Sequence, residues 1–410
     1  MELRKAAQTI IDRAIAAAQP GEAVRRALEQ QPLSGALYVV AIGKAAWQMA
    51  DAAHAALGSA IRAGVVITKY GHSRGDIGTL TIFEAGHPVP DENSYRATQA
   101  AIDLVTPLGE GDTVLFLVSG GGSALFEKPL VAAAELEEIT GQLLASGAEI
   151  TEMNTIRKRL SAVKGGRFAQ LCAPAKVFSI VLSDIIGDPL DMIASGPAYP
   201  DSSTAEMAQE IARRYGLRLS PTAWSCLAQE TPKALSNVTT AVTGSVTQLC
   251  EAASAACWEM GIEPHILTAS LCCTARDAGS FLASIAQFHR DVPHPTAYIA
   301  GGETVVKLTG KGKGGRNQEL ALAAAEGIRG MDNAAIFSLG SDGTDGPTDA
   351  AGGYVDGTSA ARLAAQGISI ANVLAENDAY HALKAIDGLI MTGPTGTNVN
   401  DLSVLLLDAT

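Results

Sequence analysis

Residues 336–353, IFSLGSDGTDGPTDAAGG, put five glycines (Gly340, Gly343, Gly346, Gly352, Gly353) and three aspartates (Asp342, Asp345, Asp349) into one turn behind a short apolar run. Glycine lets backbone N–H groups approach a ligand with no Cβ in the way. Aspartates so close together repel one another unless a cation or a ring of donors holds them. Other turns follow the same plan. In YVVAIGKAAWQMA (38–50) an apolar run enters Gly43-Lys44 and then a helical pattern. This predicts an ammonium beside free N–H groups at a helix start, a setting for phosphate or carboxylate. In LFLVSGGGSALFEKP (115–129), Ser119, Gly120, Gly121, Gly122 and Ser123 predict a nest of N–H groups for an anion. In MNTIRKRLSAVKGGRFA (153–169), Arg157, Ser161 and Lys164 are spaced i, i+4 and i+7, one face of a helix that Gly165-Gly166 would end. In VLSDIIGDPLDMIASGP (181–197) a buried-type strand ends at Asp184, with Asp188 and Asp191 close behind. Carboxylates there suit Mg²⁺, which takes one or two protein carboxylates together with waters and phosphate oxygens. Plainer readings stand beside these: an acidic surface loop, an exposed lysine, a strained linker, a solvated basic face, a helix cap. Repetition of the pattern favours chemistry.

TVVKLTGKGKGGRNQELALAAAEG (304–327) satisfies GxGxxG through Gly310, Gly312 and Gly315, between an expected strand and an expected helix. Lys311, Lys313 and Arg316 crowd this loop, whereas a dinucleotide loop usually neutralises its pyrophosphate with backbone donors alone. Extra cations fit better where a triphosphate is held and transferring charge is stabilised. The spacing leaves an NAD(P)H-dependent reductase as the alternative. That chemistry normally needs a general acid, often histidine with a carboxylate partner, and His87 has no evident acid partner in the sequence.

The elements that would position these turns are short β-rich runs alternating with Ala-rich helical segments. Strands are expected at 37–42, 64–68, 113–118, 177–182, 296–300, 304–308, 336–339 and 403–407, and helices at 2–18, 44–57, 94–106, 133–146, 205–215, 246–260, 274–288, 317–327 and 376–386. Continuous apolar strands separated by helices predict a mainly parallel sheet covered on both faces. A chain of 410 residues suggests two domains, and polar 228–241 marks their boundary. The expected division is 1–235 and 240–410, with the tail 396–410 free to pack on either domain. A net charge of −13 argues against a general nucleic-acid or anionic-membrane surface. No apolar stretch is long enough to span a membrane, and the first residues read as an amphipathic helix rather than a signal peptide. Six cysteines without a CxxC pair point to reduced thiols and a cytoplasmic setting.

GHPVPDENS (86–94), SGGGSALFEKP, NTIRKRLSAVKGGRFA, LSDIIGDPLDMIASGP, KGGRNQELAL (313–322), GSDGTDGPTDAAGG (340–353) and TGPTGTNVNDL (392–402) together resemble the glycerate 2-kinases of the MOFRL type, in order and over nearly the whole chain. The resemblance implies ATP-dependent phosphorylation of D-glycerate at its 2-hydroxyl. It implies an α/β fold of two domains, an N-terminal Rossmann-like three-layer α/β/α domain and a smaller C-terminal α/β domain, with the active site in the cleft between them. Members of the family have also been labelled hydroxypyruvate reductases. The family's active-site lysine falls on Lys44 and its arginine on Arg316, and its SD-x-x-GD segment carries Asp184. On this reading Lys44 and Arg316 are cations for the transferring phosphoryl group. Asp184, with Asp188, holds Mg²⁺, or Asp184 accepts the hydroxyl proton. Gly43, residues 119–123, Arg157, Lys164 and Gly315 are candidates for glycerate carboxylate and ATP phosphates, and Gly340, Asp342, Asp345 and Asp349 for the nucleotide or its metal. Expected partners are D-glycerate and ATP, with no nucleic acid and no membrane, and a homodimer is left open.

Overall fold

The computed structural model describes residues 2–410 apart from Asp184, Ile186 and Asp188. The candidate carboxylates Asp184 and Asp188 therefore lie outside the described residues. The chain divides into two compact units, one built from Pro20–Ser183 and residues 189–243, the other from residues 2–19 and Gly244–Thr410 together with Ile185 and Gly187.

The first unit holds a six-stranded sheet of β1 (Ala36–Ile42), β2 (Ile61–Lys69), β3 (Leu80–Ala85), β4 (Asp112–Val118), β5 (Lys176–Leu182) and β6 (Val238–Gly244), in the order β3-β2-β1-β4-β5-β6. The β1–β2, β1–β4, β2–β3 and β4–β5 pairings are parallel. This is the order of the doubly wound dinucleotide-binding sheet. Alternating residues serve two cores. Val40, Ile42, Phe116 and Val118 face one side, and Val39, Ala41, Leu115 and Leu117 face the other. Apolar residues at every strand position thus produce the three-layer α/β/α arrangement, because both faces must be covered. A separate apolar cluster joins the helices Ala133–Ala145, Ile150–Arg159, Ala205–Arg214 and Pro221–Leu227.

The second unit holds β7 (Glu263–Leu271), β8 (Thr296–Gly302), β9 (Ala334–Gly340), β10 (Gly352–Asp356), β11 (Leu389–Ile390) and β12 (Asp401–Leu407), in the order β11-β10-β9-β12-β8-β7. Here the expectation of a mainly parallel sheet is corrected. Only β7–β8 is parallel, while β8–β12, β12–β9, β9–β10 and β10–β11 are antiparallel. β12 inserts between β8 and β9, which decides where the tail belongs: Leu405 and Leu407 face one core and Val404 and Leu406 the other.

The division differs from 1–235 and 240–410 in two places. The helix Leu3–Ala17 buries Ile10, Ile11 and Ala14 in the core of the second unit, against the helix Val246–Glu259. The polar stretch 228–241 runs into β6, which completes the first sheet. Residues 304–308 do not form a strand. They make one isolated bridge, Thr274 to Val305, and Leu308 is 81% exposed.

Candidate active site

In the first unit the loops after β1 and β4 leave adjacent strands where the sheet order reverses, the place where open α/β sheets bind ligands. Gly43 has φ +111°, and a side chain there would run into Ser119, so the tight β1 exit requires glycine. The two amides just before the adjacent helix are spent on the β4 exit. Lys44 N–H donates to Gly120 O at 2.9 Å and Ala45 N–H to Ser119 Oγ at 3.1 Å. The helix Ala46–Leu57 begins beyond them. What these bonds do is clamp the two loops together. The Lys44 side chain is half-buried, and its ammonium has no hydrogen-bond or carboxylate partner among the described residues. A Cβ built on Gly121 would lie 3.2 Å from Lys44 Cγ and 3.0 Å from His87 Nε2, so the three groups share one corner. His87 has its pKa pushed down, first by burial and then by the Lys44 charge. Among the described residues no carboxylate hydrogen-bonds to it.

The expected nest takes shape over 120–123. Ser119 N–H is spent on Ile42 O, but the backbone N–H groups of Gly120, Gly121, Gly122 and Ser123 have no partner among the described residues. Ser123 Oγ lies 3.1 Å from Ser195 Oγ, and Ser195 in turn donates to Asn154 Oδ1 at 3.1 Å. Ala194 and Ser195 both have positive φ, 52° and 61°. Two non-glycine residues in the left-handed region store strain of the kind that collects at functional sites. The run 192–196 did signal itself by motif, but neither Ser195 nor Asn154 stood out by residue type.

The basic cluster is rearranged. The helix that carries Arg157 ends at Arg159, and Gly165-Gly166 precede the next helix, Arg167–Cys172, so Ser161 and Lys164 share no helix face with Arg157. Lys164 is fully buried. Its Nζ donates to Ser123 O and Phe126 O, each at 2.8 Å, and lies 3.0 Å from Glu127 Oε2. Burial pushes its pKa down while Glu127 opposes the shift. The two carbonyl bonds and the adjacent Glu127 carboxylate use the ammonium inside the protein, so in this structure Lys164 holds the 123–126 turn. Lys158 and Arg159 are likewise buried, around Asp201 and Asp191. Arg157 is the exception, a half-buried guanidinium whose Nε has no partner among the described residues.

In the second unit Arg316 opens the helix Arg316–Ala324. Its Nε and Nη2 grip Asp401 at 2.6 and 3.0 Å, and Nη1 donates to Glu303 at 2.6 Å. Burial alone would lower its pKa, but the hydrogen bonds and charges of Asp401 and Glu303 more than offset this and the shift is upward. Asp401, at the start of β12, lies 85 positions from Arg316 in sequence, so only its place inside a motif hinted at a role. Asp345 is 3% exposed and caps the helix from outside. It accepts from Asn317 N–H at 3.2 Å and Gln318 N–H at 2.8 Å, and a side chain on Gly315 would run into it. Burial pushes its pKa up to about 6 against those amides.

The GxGxxG reading fails on context. β8 ends at Gly302 and does not run into the motif, the first helical amides are taken by Asp345, and side chains on Gly310 and Gly312 would collide with Glu376 and Asp378. These glycines allow close packing of chain on chain rather than contact with a pyrophosphate.

Two cavities meet at Arg316. One, of about 660 Å³, is lined by residues that include Thr304, Val306, Leu308, Asp342, Asp345 and Pro347. The other, of about 360 Å³, is lined by Glu303, Gly340, Ser341, Asp342, Asn398, Asn400 and Asp401. Gly340 and Asp342 are thus placed at cavities, as is Asp345. Asp349 lines neither: it is exposed and accepts a hydrogen bond from Tyr380. Among the described residues no group of three or more His, Cys, Asp or Glu side chains is arranged to hold a metal. Nor is any helix long and apolar enough to cross a membrane.

Residues 6–228 match a domain family described as a domain of unknown function (DUF4147), and residues 296–401 match the MOFRL family. A D-glycerate 2-kinase from Thermotoga maritima is 52% identical over 411 residues, covering 99% of this chain and 98% of that protein. A crystal structure of a glycerate kinase from the same organism superposes with a TM-score of 0.95 at 51% identity, covering 99% of each chain. An Agrobacterium vitis protein with a provisional hydroxypyruvate reductase name is 40% identical over 98% of this chain and 94% of its own length.

Proposed function

The chain belongs to the glycerate kinases that carry a MOFRL domain, and we propose that it transfers the γ-phosphoryl group of ATP to the 2-hydroxyl of D-glycerate, releasing 2-phosphoglycerate and ADP. The observation that carries this reading beyond kinship is the corner at the β1 and β4 exits. There the ammonium of Lys44 and four successive backbone amides stand together without partners among the described residues. Phosphoryl transfer demands little of a protein except positioning and charge neutralisation, and this corner supplies both. The amides of 120–123 and Arg157 take the glycerate carboxylate. Lys44 is the cation the first unit offers to a phosphoryl group, and Arg316 is the cation the cavities of the second unit offer to phosphates. The 2-hydroxyl oxygen attacks the γ-phosphorus, the bond to the β–γ bridging oxygen breaks, and the hydroxyl proton leaves to a base.

Mg²⁺, when bound with ATP, offsets phosphate charge. The donor set fits such an ion. Arg316 is already matched by Asp401 and Glu303, so arriving phosphates meet a site that is not net positive. An ion that keeps its waters needs only one or two protein carboxylates, and Asp342, where the two cavities meet beside Arg316, would supply one. Asp184 takes one of two exclusive roles, metal ligand or proton acceptor. With Asp184→Asn, rescue by higher Mg²⁺ marks the ligand, and loss at every Mg²⁺ level with ATP binding intact marks the base.

The reductase reading lacks its parts, since β8, the strand before the GxGxxG, ends at Gly302 and does not run into it, and among the described residues His87 has no acid partner. The cytoplasm is the compartment this reading calls for, and six unpaired cysteines support it. One assay tests the whole: purified protein with D-glycerate, ATP and Mg²⁺, coupled to enolase without phosphoglycerate mutase. Enolase turnover is expected. If it starts only once mutase is added, the 2-hydroxyl assignment is wrong. If NADH is oxidised by hydroxypyruvate and no ADP forms, the kinase reading is wrong.

A further inference from the structure

We propose that the cavity of the second unit lined by Thr304, Val306, Leu308, Pro347, Asp342 and Arg316 holds the purine nucleoside of the phosphoryl donor. The base lies on the apolar wall and the phosphates run toward Arg316. The proposal rests on the kinase reading and adds to it where the donor's base is recognised.

Three observations converge on it. The first is the apolar wall. Residues 304–308 read as a strand and do not form one, and they leave Val305 56% and Leu308 81% exposed along one cavity. Large aliphatic side chains held open beside a concave space lose the benefit of burial unless something covers them. A volume of about 660 Å³ falls in the roughly 300–1,000 Å³ range of small-molecule sites. The second is Thr304. It is 4% exposed, lines the cavity, and its Oγ1 has no hydrogen-bond partner among the described residues. A buried hydroxyl left unpaired is costly, and the polar edge of a base would satisfy it.

The third is the order of chemical character. The apolar cavity and the polar one of about 360 Å³ share Arg316, Glu303 and Asp342. From apolar wall to guanidinium to polar chamber, the lining follows a nucleotide from base to phosphates. Two of the lining carboxylates are spent internally, Asp345 on the helix amides and Glu319 on Arg276 and Asn377. Asp342, whose Oδ1 accepts from Thr344 N–H at 2.9 Å, stands where the two cavities meet, at the sugar–phosphate junction of such a nucleotide. The loop glycines Gly312 and Gly314 also line the cavity while packing on residues 376–379.

The test uses the full chain and two probes, ADP and tripolyphosphate, which has the charge but no base, each titrated calorimetrically. Leu308→Ser changes an exposed residue and leaves the fold intact. It should weaken ADP about tenfold, the loss of one covered leucine, and leave tripolyphosphate binding unchanged. Thr304→Val, nearly isosteric, should weaken ADP about fivefold, and again tripolyphosphate should not respond. If both variants bind ADP as the unaltered protein does while ATP-dependent turnover of glycerate persists, the base sits elsewhere and the kinase reading survives. If the unaltered protein binds no ADP and consumes no ATP, the kinase reading falls and this proposal with it. Equal weakening of ADP and tripolyphosphate would also overturn it, because the residues would then be acting on phosphate.

Discussion

The two units each present one cation at a loop, and they hold it in opposite ways. Lys44 follows β1 with no counter-charge. Its backbone is clamped by Gly120 and Ser119, and its ammonium is left without a partner among the described residues. Arg316 follows the glycine loop with its guanidinium gripped in two-pronged fashion by Asp401 and held again by Glu303. A lone ammonium keeps its full field for a ligand, and it costs nothing in stability to remove. A guanidinium matched by two carboxylates is fixed in direction, and its loss strands a carboxylate that is 5% exposed. One unit thus spends backbone to place a charge and the other spends charge, so the same kind of substitution should have different consequences in each.

Arg316→Met is the largest expected effect. Stability should fall by roughly 2–5 kcal/mol, because truncating one partner of a buried, hydrogen-bonded ion pair leaves the other unpaired, and activity should fall with it. Denaturant unfolding monitored by circular dichroism checks the first, the enolase-coupled assay the second. Restoring stability with the double change Arg316→Met/Asp401→Asn, with activity still absent, would separate the two roles. Lys44→Ala comes next. It should reduce kcat about 10²–10³-fold, the usual loss for one transition-state electrostatic donor, with the unfolding midpoint unmoved. A Lys44→Ala protein as destabilised as the Arg316 variant would break the contrast between the units.

Much of the first unit was legible because its strands are buried on both faces and so read as unbroken apolar runs. β1, β2, β4 and β5 all do. β6 (VTTAVTG) and β7 (EPHILTASL) were not, since each is at the edge of its sheet, half-wet, and loses the apolar signature. TVVKL misled in the other direction. Its β-branched residues suit a strand, but the glycines behind it pack on residues 376–379 and draw the chain out of the sheet. At the site, Lys44 and the 119–123 turn could be picked out because the glycines a tight exit needs are local. Pairings such as Lys164 with Glu127 or Arg316 with Asp401 could not, because partners 37 and 85 positions apart, with nothing periodic between them, leave no trace in spacing.

Asp345 sharpens the contrast through pH. The second unit buries a carboxylate to start the helix of Arg316, and its folded pKa is about 6 against 3.8 for an ordinary aspartate. The folded state therefore binds the proton more tightly than the unfolded state does. This contribution to stability is complete below about pH 3.8 and is lost as pH rises through about 6, a change on the order of 2–3 kcal/mol. Asp345→Asn should flatten that slope between pH 4 and 7. It should also lower stability at pH 4 by about 1 kcal/mol, because one of the two capping oxygens becomes a donor. Unfolding free energies of both proteins across this range test the point, and identical slopes would show that Asp345 titrates as it does in the unfolded chain.

The smallest effect tests whether the Lys44 charge is as unshielded as its lack of partners implies. His87 is held below its ordinary pKa first by burial and second by Lys44, with Lys69 and His72 adding to it. Burial does not change in Lys44→Met, but the largest of the three charges goes. The His87 pKa should therefore rise, followed by NMR titration of its ring Cε1–H resonance in the unaltered protein and the variant. The shift should also shrink with added salt in the unaltered protein, since screening acts on the charge and not on burial. Phosphate or glycerate bound at 120–123 should raise the same pKa by neutralising the ammonium, making His87 a reporter of occupancy that needs no turnover. A His87 titration that ignores both Lys44→Met and these anions would mean that the ammonium is turned away from the corner, and that the first unit does not offer the bare charge on which the comparison depends.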